Sequence, residues 1–501
     1  MNRQITRLAV SAIVLIAALI VGTTYWQTWA VAGLNDRQDN AIQRVVQFTI
    51  DRGRIYAAGG KIVLAENVKR KVGGQTLFFR RYPNGFFAPH VIGYSTVGRS
   101  RAGLEQSEND YLTGANGDLT SVATTAIDKL KGVTVHGNDL VLTLNARAQS
   151  TAVNALRGKC GAAVALDPRT GAVLALASYP TFNPNEIEKH YAKVANRRVS
   201  ACPKYSAPLL DRATQGLYPP GSSFKVVTAA AALDSGKVKP DTEFDDPGYC
   251  IEYGKRVSNA GSNPEAPETF GRVTFALGLQ HSINSVFCNV GKQIGAGLIL
   301  DYVRKFGFYD EPGLELPLDA QSPSGLYDQR KHKLFKPKDP ATQVDPGRLA
   351  FGQERMLVTP IQMAMVAAAV ANDGVLLRPY LVDEIRTQKG KVVTRTKPHK
   401  IRRVVSSEVA QELTQMMESV VTGGTGTAAA ISGVRVAGKT GTAEIGIAHH
   451  YDAWFIAFAP ADAPRVAVAV QLENQTGFGG EVAAPIAKQI MEAILRRPSN
   501  T

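Results

Sequence analysis

Three short clusters of hydroxyl, amine and amide side chains stand out in this chain of 501 residues: Ser222-Ser223-Phe224-Lys225, Ser282-Ile283-Asn284 and Lys439-Thr440-Gly441-Thr442. On a helix, residues i and i+3 share a face, so Ser222 and Lys225 are within reach of each other. A serine hydroxyl becomes a nucleophile when a base takes its proton. A lysine can be that base once burial or a neighbouring cation lowers its pKa. The S-x-x-K pattern alone also describes solvated helix faces. Here Pro219-Pro220-Gly221 precedes it and an apolar run follows, so Ser222 sits at a turn-to-helix junction whose N–H groups can cradle negative charge. Ser282 and Asn284 suit a proton relay and a grip on a substrate amide, although alone they read equally well as a helix cap before NSVFCNVG. The Lys439 cluster lies inside a strand pattern, where Gly441 lets another backbone approach closely. An extended peptide can add along such a strand. Lys439 and Thr440 would then offer a charge and a hydroxyl to a terminal carboxylate, and the Thr442 N–H would complete an oxyanion hole.

These clusters need rigid elements to bring them together. Residues 162–166 and 172–177 are apolar β runs around Asp167-Pro168-Arg169-Thr170-Gly171, which reads as a hairpin. Near the end, VRVAGKTGTA, WFIAFAP and RVAVAVQL are nearly continuous apolar strands, as in a sheet covered on both faces. Between the two sets the pattern is helical. SSFKVVTAAAALDSG and TPIQMAMVAAAVANDG are apolar on nearly all sides and so belong in the interior. APIAKQIMEAILRR is amphipathic, and residues 319–347, rich in Pro, Lys and Asp, read as a surface loop. The expected architecture is α+β: a mixed, antiparallel-rich central sheet flanked by helices, with the first hairpin joining the last three strands.

The chain's ends set its surroundings. Arg3 and Arg7 precede an uncharged run from Leu8 to Asn35, long enough as a helix to cross a hydrocarbon core of about 30 Å. Tyr25, Trp26 and Trp29 sit where aromatic rings favour the headgroup region, and the basic flank should stay inside. Ala30-Val31-Ala32 resembles a cleavage site, but TTYWQTW pushes it past the apolar core, which favours an uncleaved anchor. The expected division is a cytosolic tail (1–7), an anchor (8–32), a small irregular β-containing pedestal (33–140) and a catalytic domain (141–497). The formal charge of +14 is spread along the chain, which suits an anionic membrane face or wall polymer rather than nucleic acid. Without a CxxC or a histidine cluster of ligand spacing, no metal and no cofactor are expected. Four cysteines in an exported domain allow three pairings. Cys250 with Cys288, both flanking the Ser282 region, is the expected pair.

The order S-x-x-K, S-x-N, K-T-G, with 60 residues from Ser222 to Ser282 and 157 from Ser282 to Lys439, is that of penicillin-binding proteins and serine β-lactamases. The chain resembles a class B, monofunctional penicillin-binding protein over roughly residues 40–495. Arg52-Gly53-Arg54-Ile55 resembles the first pedestal box, and Arg81-Tyr82-Pro83 through Gly103-Leu104-Glu105 the second. VALDPRTGAVLALASYPTFNPN, YPPGSSFK, AFGQERMLVTPIQMA, GTG at 424–426, and KTGTAE before AWFIAFAP resemble its catalytic landmarks. The pattern is similar to the short actinobacterial, division-associated penicillin-binding protein A branch. It departs in the first box, where RGRIYAAGG stands in place of an Asp-Arg-Asn-Gly kind of turn.

The resemblance implies a peptidoglycan D,D-transpeptidase. Ser222 would attack the penultimate D-Ala carbonyl of a stem peptide, Lys225 would take its proton, and Ser282 with Lys439 would pass a proton to the leaving amine. Asn284 would hold the substrate amide; Thr440, Gly441 and Thr442 would receive its terminus; the Ser222 and Thr442 N–H groups would form the oxyanion hole. Implied partners are stem peptides, β-lactams, the cell membrane, and divisome or glycosyltransferase proteins. The alternatives are a D,D-carboxypeptidase, a membrane-anchored β-lactamase, or a non-catalytic β-lactam sensor.

Overall fold

The computed structural model describes residues 2–28, 48–97, 100–115, 136–202, 206–259, 268–328 and 330–496. Helix α1 (Asn2–Thr28) contains a 20-residue apolar span, Thr6–Tyr25, with mean hydropathy 2.3 and no part buried against the rest of the chain. At 1.5 Å per residue that span matches one hydrocarbon thickness, about 30 Å. Trp29 and the Ala30–Ala32 site lie outside the described residues.

Strands β1 (Ile55–Tyr56), β2 (Val63–Val72), β3 (Gln75–Arg81) and β4 (Asp139–Leu142) form much of a six-stranded sheet. Its order runs β3-β2-β1-β4 and continues into Val382–Arg386 and Val392–Arg395, some 240 positions downstream of β4 in the numbering. The segments expected as separate pedestal and catalytic modules therefore share one sheet. Local patterning cannot reveal this, because the pairing partner is remote in the chain. The two pedestal boxes meet at a buried ion cluster. Glu105, fully buried, accepts from Arg52 at 2.9 Å and from Arg80 at 2.6 Å. Either guanidinium alone would be a costly buried cation; the shared carboxylate makes the cluster tolerable.

The second sheet joins β5 (Gly161–Leu166) and β6 (Val173–Tyr179) to β7 (Ala437–Glu444), β8 (Tyr451–Ala459) and β9 (Val466–Gln475) in the order β7-β8-β9-β5-β6. The first hairpin does join the last three strands. All four pairings are antiparallel, so the sheet is not mixed. Both faces are covered, as the continuous apolar runs imply. Val164, Leu166, Trp454 and Ile456 point into one core, and Ala163, Ala165, Phe455 and Ala457 into the other. This is the period of two expected for strands.

On the first face, α2 (Lys225–Asp234) is buried from Lys225 through Leu233. Helix α3 (Asn284–Ile294) and the apolar α4 (Pro360–Ala371) share that core, as does α5 (Ser407–Gly423). Helix α6 (Ala484–Leu495) closes the opposite face through Ile486 and Ile490. The expected surface loop at 319–347 is partly ordered: Gly325–Asp328 pairs with Lys333–Leu334 and Met356–Leu357, and Leu326 is fully buried.

The expected cysteine pairing is wrong. Cys160, just before β5, is bonded to Cys202, with their Cα atoms 5.2 Å apart. Cys250 and Cys288 are buried free thiols. Proximity to one motif in sequence says nothing about Cβ geometry, and Cys288 is instead turned to Glu252, donating to Oε1 at 2.9 Å.

Replacing Glu105 by Ala leaves two buried guanidinium groups without their anion. Glu105→Ala is expected to lower the unfolding free energy by about 3–5 kcal/mol, read from the shift in the denaturant midpoint. An unchanged midpoint would show that the cluster is solvated.

Candidate active site

Ser222 lies in a single 3₁₀ turn, Gly221–Phe224, which leads directly into α2. In 3₁₀ geometry the side chains of i and i+3 eclipse, so Ser222 and Lys225, the residue that follows the turn, emerge on the same side. Gly221 has φ +51°, and a Cβ there would come 2.8 Å from the Thr442 carbonyl oxygen. Only glycine accepts both conditions. The turn is held on the sheet by the Trp454 Nε1–H, which donates to the Pro219 carbonyl at 2.9 Å. Gly441 belongs to the same contact, because a Cβ there would meet the Pro220 oxygen at 2.8 Å and the Ser223 nitrogen at 3.0 Å. The backbone that approaches Gly441 here is thus the serine's own turn.

The three motifs meet at Ser282. Its φ is +59°, a left-handed conformation that costs a serine on the order of 1–3 kcal/mol. With the backbone turned this way, both its carbonyl and its hydroxyl face lysines. Lys225 Nζ donates to the Ser282 carbonyl at 2.6 Å, lies 3.3 Å from Ser282 Oγ, and donates to Asn284 Oδ1 at 2.9 Å. Lys439 Nζ donates to the same Ser282 Oγ at 2.8 Å and to the Thr440 carbonyl at 3.0 Å. Both lysines are fully buried. Burial, and then the charge of Lys439, hold Lys225 well below the usual lysine range, while burial brings Lys439 down to about 7. An amine in that state can accept a proton at neutral pH.

The remaining expected residues stand around this centre. Asn284 opens α3, and its amide N–H₂ donates to the Ser258 carbonyl at 2.9 Å; a carboxamide so held retains a second N–H and a lone pair. Thr440 Oγ1 is 2.7 Å from Thr425 Oγ1. Thr442 Oγ1 accepts from the Gly479 N–H at 3.3 Å. Strand β7 stands at the edge of its sheet, which leaves one side open to an added strand. Glu444, the carboxylate nearest these residues in sequence, is exposed at the far end of β7.

Residues 161–492 match the penicillin binding protein transpeptidase domain, and residues 52–140 match the penicillin binding protein A dimerisation domain. The chain belongs to the penicillin-binding protein transpeptidase family. It is 34% identical to the peptidoglycan D,D-transpeptidase PbpA of Mycolicibacterium smegmatis over 100% of both chains. It is 30% identical to the peptidoglycan D,D-transpeptidase MrdA of Escherichia coli, over 84% of this chain and 72% of that one. The solved penicillin G acyl-enzyme complex of penicillin-binding protein A from M. tuberculosis superimposes with a TM-score of 0.76 at 31% identity, covering 89% of this chain and 100% of that one.

Sequence reasoning missed two residues that contact the expected site residues. Thr425 was visible in the GTG landmark, but only the fold brings its hydroxyl to Thr440. Asn259 carried no signal at all. The residue at the N-cap of α3 is Ile283, which has no side-chain acceptor. Asn259 supplies one from elsewhere in the chain: its Oδ1 accepts the Asn284 N–H at 2.9 Å and the Ser285 N–H at 3.3 Å. Its amide is in turn held by both oxygens of the buried Asp246, at 3.2 and 3.1 Å. Asn259 therefore caps in trans the helix turn that carries Ser282 and Asn284.

Asn259→Ala is expected to cost about 1 kcal/mol of stability and to slow acylation by a fluorescent penicillin about tenfold. Acylation at the wild-type rate in stopped-flow measurements would show that the cap does not position the motif. The pH dependence of stability gives a separate check. Between about 7 and the ordinary lysine value of 10.5, the unfolded chain holds the Lys439 proton and the folded chain does not. Stability should therefore rise with pH across that window. Lys439→Met should flatten the slope in urea unfolding, and an identical slope would mean that Lys439 stays charged in the fold.

Proposed function

We infer that this chain is a peptidoglycan D,D-transpeptidase that cross-links stem peptides in wall synthesis and division and is inactivated by β-lactams. The observation that carries the reading is the bridge at Ser282, which puts two buried amines around one hydroxyl beside the Ser222 turn. In this reading Ser222 Oγ attacks the penultimate D-Ala carbonyl, and its proton passes to Lys225. The Ser222 and Thr442 N–H groups receive the oxyanion. As the C–N bond breaks, the Ser282 hydroxyl hands a proton to the departing D-Ala amine and is replenished with the proton that Lys225 took from Ser222, while Lys439 holds the hydroxyl in line for the transfer. The ester on Ser222 is then attacked by an amine of a second stem, whose proton returns to Lys225 and then to Ser222 Oγ. Asn284 orients the donor amide, and Thr440, Gly441 and Thr442 line the strand along which the donor's terminal carboxylate lies.

The apolar span of α1 fits a single-pass anchor in the plasma membrane, with the Arg3 and Arg7 flank inside and the catalytic residues outside. Division and glycosyltransferase proteins are the expected neighbours of such an anchored enzyme.

Labelled penicillin should attach to Ser222 and remain for many minutes, and Ser222→Ala should abolish labelling. Lys225→Ala should slow labelling by about 10²–10⁴, the usual worth of a general base. Rapid release of hydrolysed lactam would replace this reading with a β-lactamase, and label retained by Ser222→Ala would overturn the site.

A further inference from the structure

Beneath the Ser282 motif lies a second cluster that the transpeptidase chemistry does not use. Cys250 and Glu252 are two residues apart on the short strand Tyr249–Glu252, whose burial alternates so that both point inward while Ile251 is exposed. Cys288 faces them from α3. The two sulfurs and a Glu252 oxygen lie within 4.8 Å of one another, and all three residues are buried. A separate observation points to a cation-binding role. The Asp345 carboxyl faces that of Glu252, is 1% exposed, and its Oδ2 lacks a hydrogen-bond donor among the described residues. Two buried carboxylates turned toward each other repel unless a cation or a shared proton lies between them.

We propose that Cys250, Glu252, Cys288 and Asp345 form a structural zinc site that clamps the 249–252 strand to α3. Two thiolates and two oxygens suit Zn²⁺, which accepts soft and borderline ligands in tetrahedral geometry. On binding, Zn²⁺ takes the place of the two thiol protons, which leave to solvent; no electron is transferred. The four anionic ligands are balanced by the ion together with two nearby cations. Lys292 Nζ lies 2.7 Å from Glu252 Oε1, and Arg348 Nε lies 3.7 Å from Asp345 Oδ2. The ligands are also held from behind, since the Gly347 and Arg348 N–H groups donate to Asp345 Oδ1 at 2.9 and 3.1 Å. Gly347 leaves the necessary room: a Cβ there would sit 2.5 Å from Glu252 Oε1 and 3.0 Å from Cys288 Sγ. An entry path exists, because Cys250 and Lys292 line an open cleft of about 560 Å³ bordered by Asp245 and Asn289. The consequence lies in α3. Its first residue is Asn284, so a metal tied to Cys288 would fix the helix that presents the second motif to Lys225.

The test uses the full chain in detergent, with the Cys160–Cys202 bond left intact, stripped of metal by chelator and then given Zn²⁺ or Co²⁺ alone. One zinc per chain should survive gel filtration, and Co²⁺ should give a thiolate-to-metal charge-transfer band in the near ultraviolet. Cys250→Ser and Cys288→Ser should each abolish the band, and Lys292→Ala, outside the ligand set, should weaken zinc retention about 10–100-fold. If a cysteine variant fails to fold, the wild-type cobalt spectrum still decides, because only thiolate ligation produces that band. Absence of retained zinc in protein that still acylates with penicillin would overturn the site and leave a shared proton between Glu252 and Asp345. A Cys250–Cys288 disulfide in material matured by the exporting cell would overturn it as well.

Discussion

Two lysine amines reach one serine hydroxyl inside a site from which water is almost excluded. Among the described residues, every hydrogen-bond partner of Lys225 and Lys439 is a neutral oxygen: the Ser282 carbonyl and hydroxyl, Asn284 Oδ1, and the Thr440 carbonyl and hydroxyl. Two ammonium groups so placed would lose hydration and repel each other, so at least one must give up its proton. That loss is what turns a lysine from a surface cation into a base. The stability of the fold is therefore spent on holding these amines dry, and the reactivity proposed for Ser222 depends on it.

Keeping that geometry requires several backbones to pass very close together. The 3₁₀ turn at Ser222 lies directly on β7, and Gly221 and Gly441 are the positions at which a side chain would block it. Trp454, on the neighbouring strand, both fills the core beneath and tethers Pro219. The left-handed Ser282 and the trans cap from Asn259 do the corresponding work on the other side. Strain at Ser282 is tolerated because α3, Asn259 and both lysines all hold it in place.

The same logic extends to the pedestal. Its sheet takes two strands from the catalytic part of the chain, and its own two sequence boxes are joined through Glu105. A six-stranded sheet shared in this way couples the N-terminal module to the body mechanically, which a flexible linker would not. The cluster around Cys250 and Cys288 acts at shorter range, between one strand and the helix that carries Asn284.

What the sequence determined by itself is what depends on neighbours a few positions away. Nearly continuous apolar runs bounded by turns marked β5 to β9, longer segments apolar on nearly all sides marked α2 and α4, and the i, i+3 spacing put Ser222 and Lys225 on one face. The motif order then identified the chemistry without any geometry. Tertiary structure alone decided what depends on chain closure. It joined Cys160 to Cys202 and left Cys250 and Cys288 as thiols. It paired β4 with the strand at Val382–Arg386, set Asn259 on the N-terminus of α3, and gave Gly441 to the Ser222 turn. Each of these contacts links segments far apart in the chain. No local propensity encodes such contacts, because their energy exists only once the whole core has closed around them.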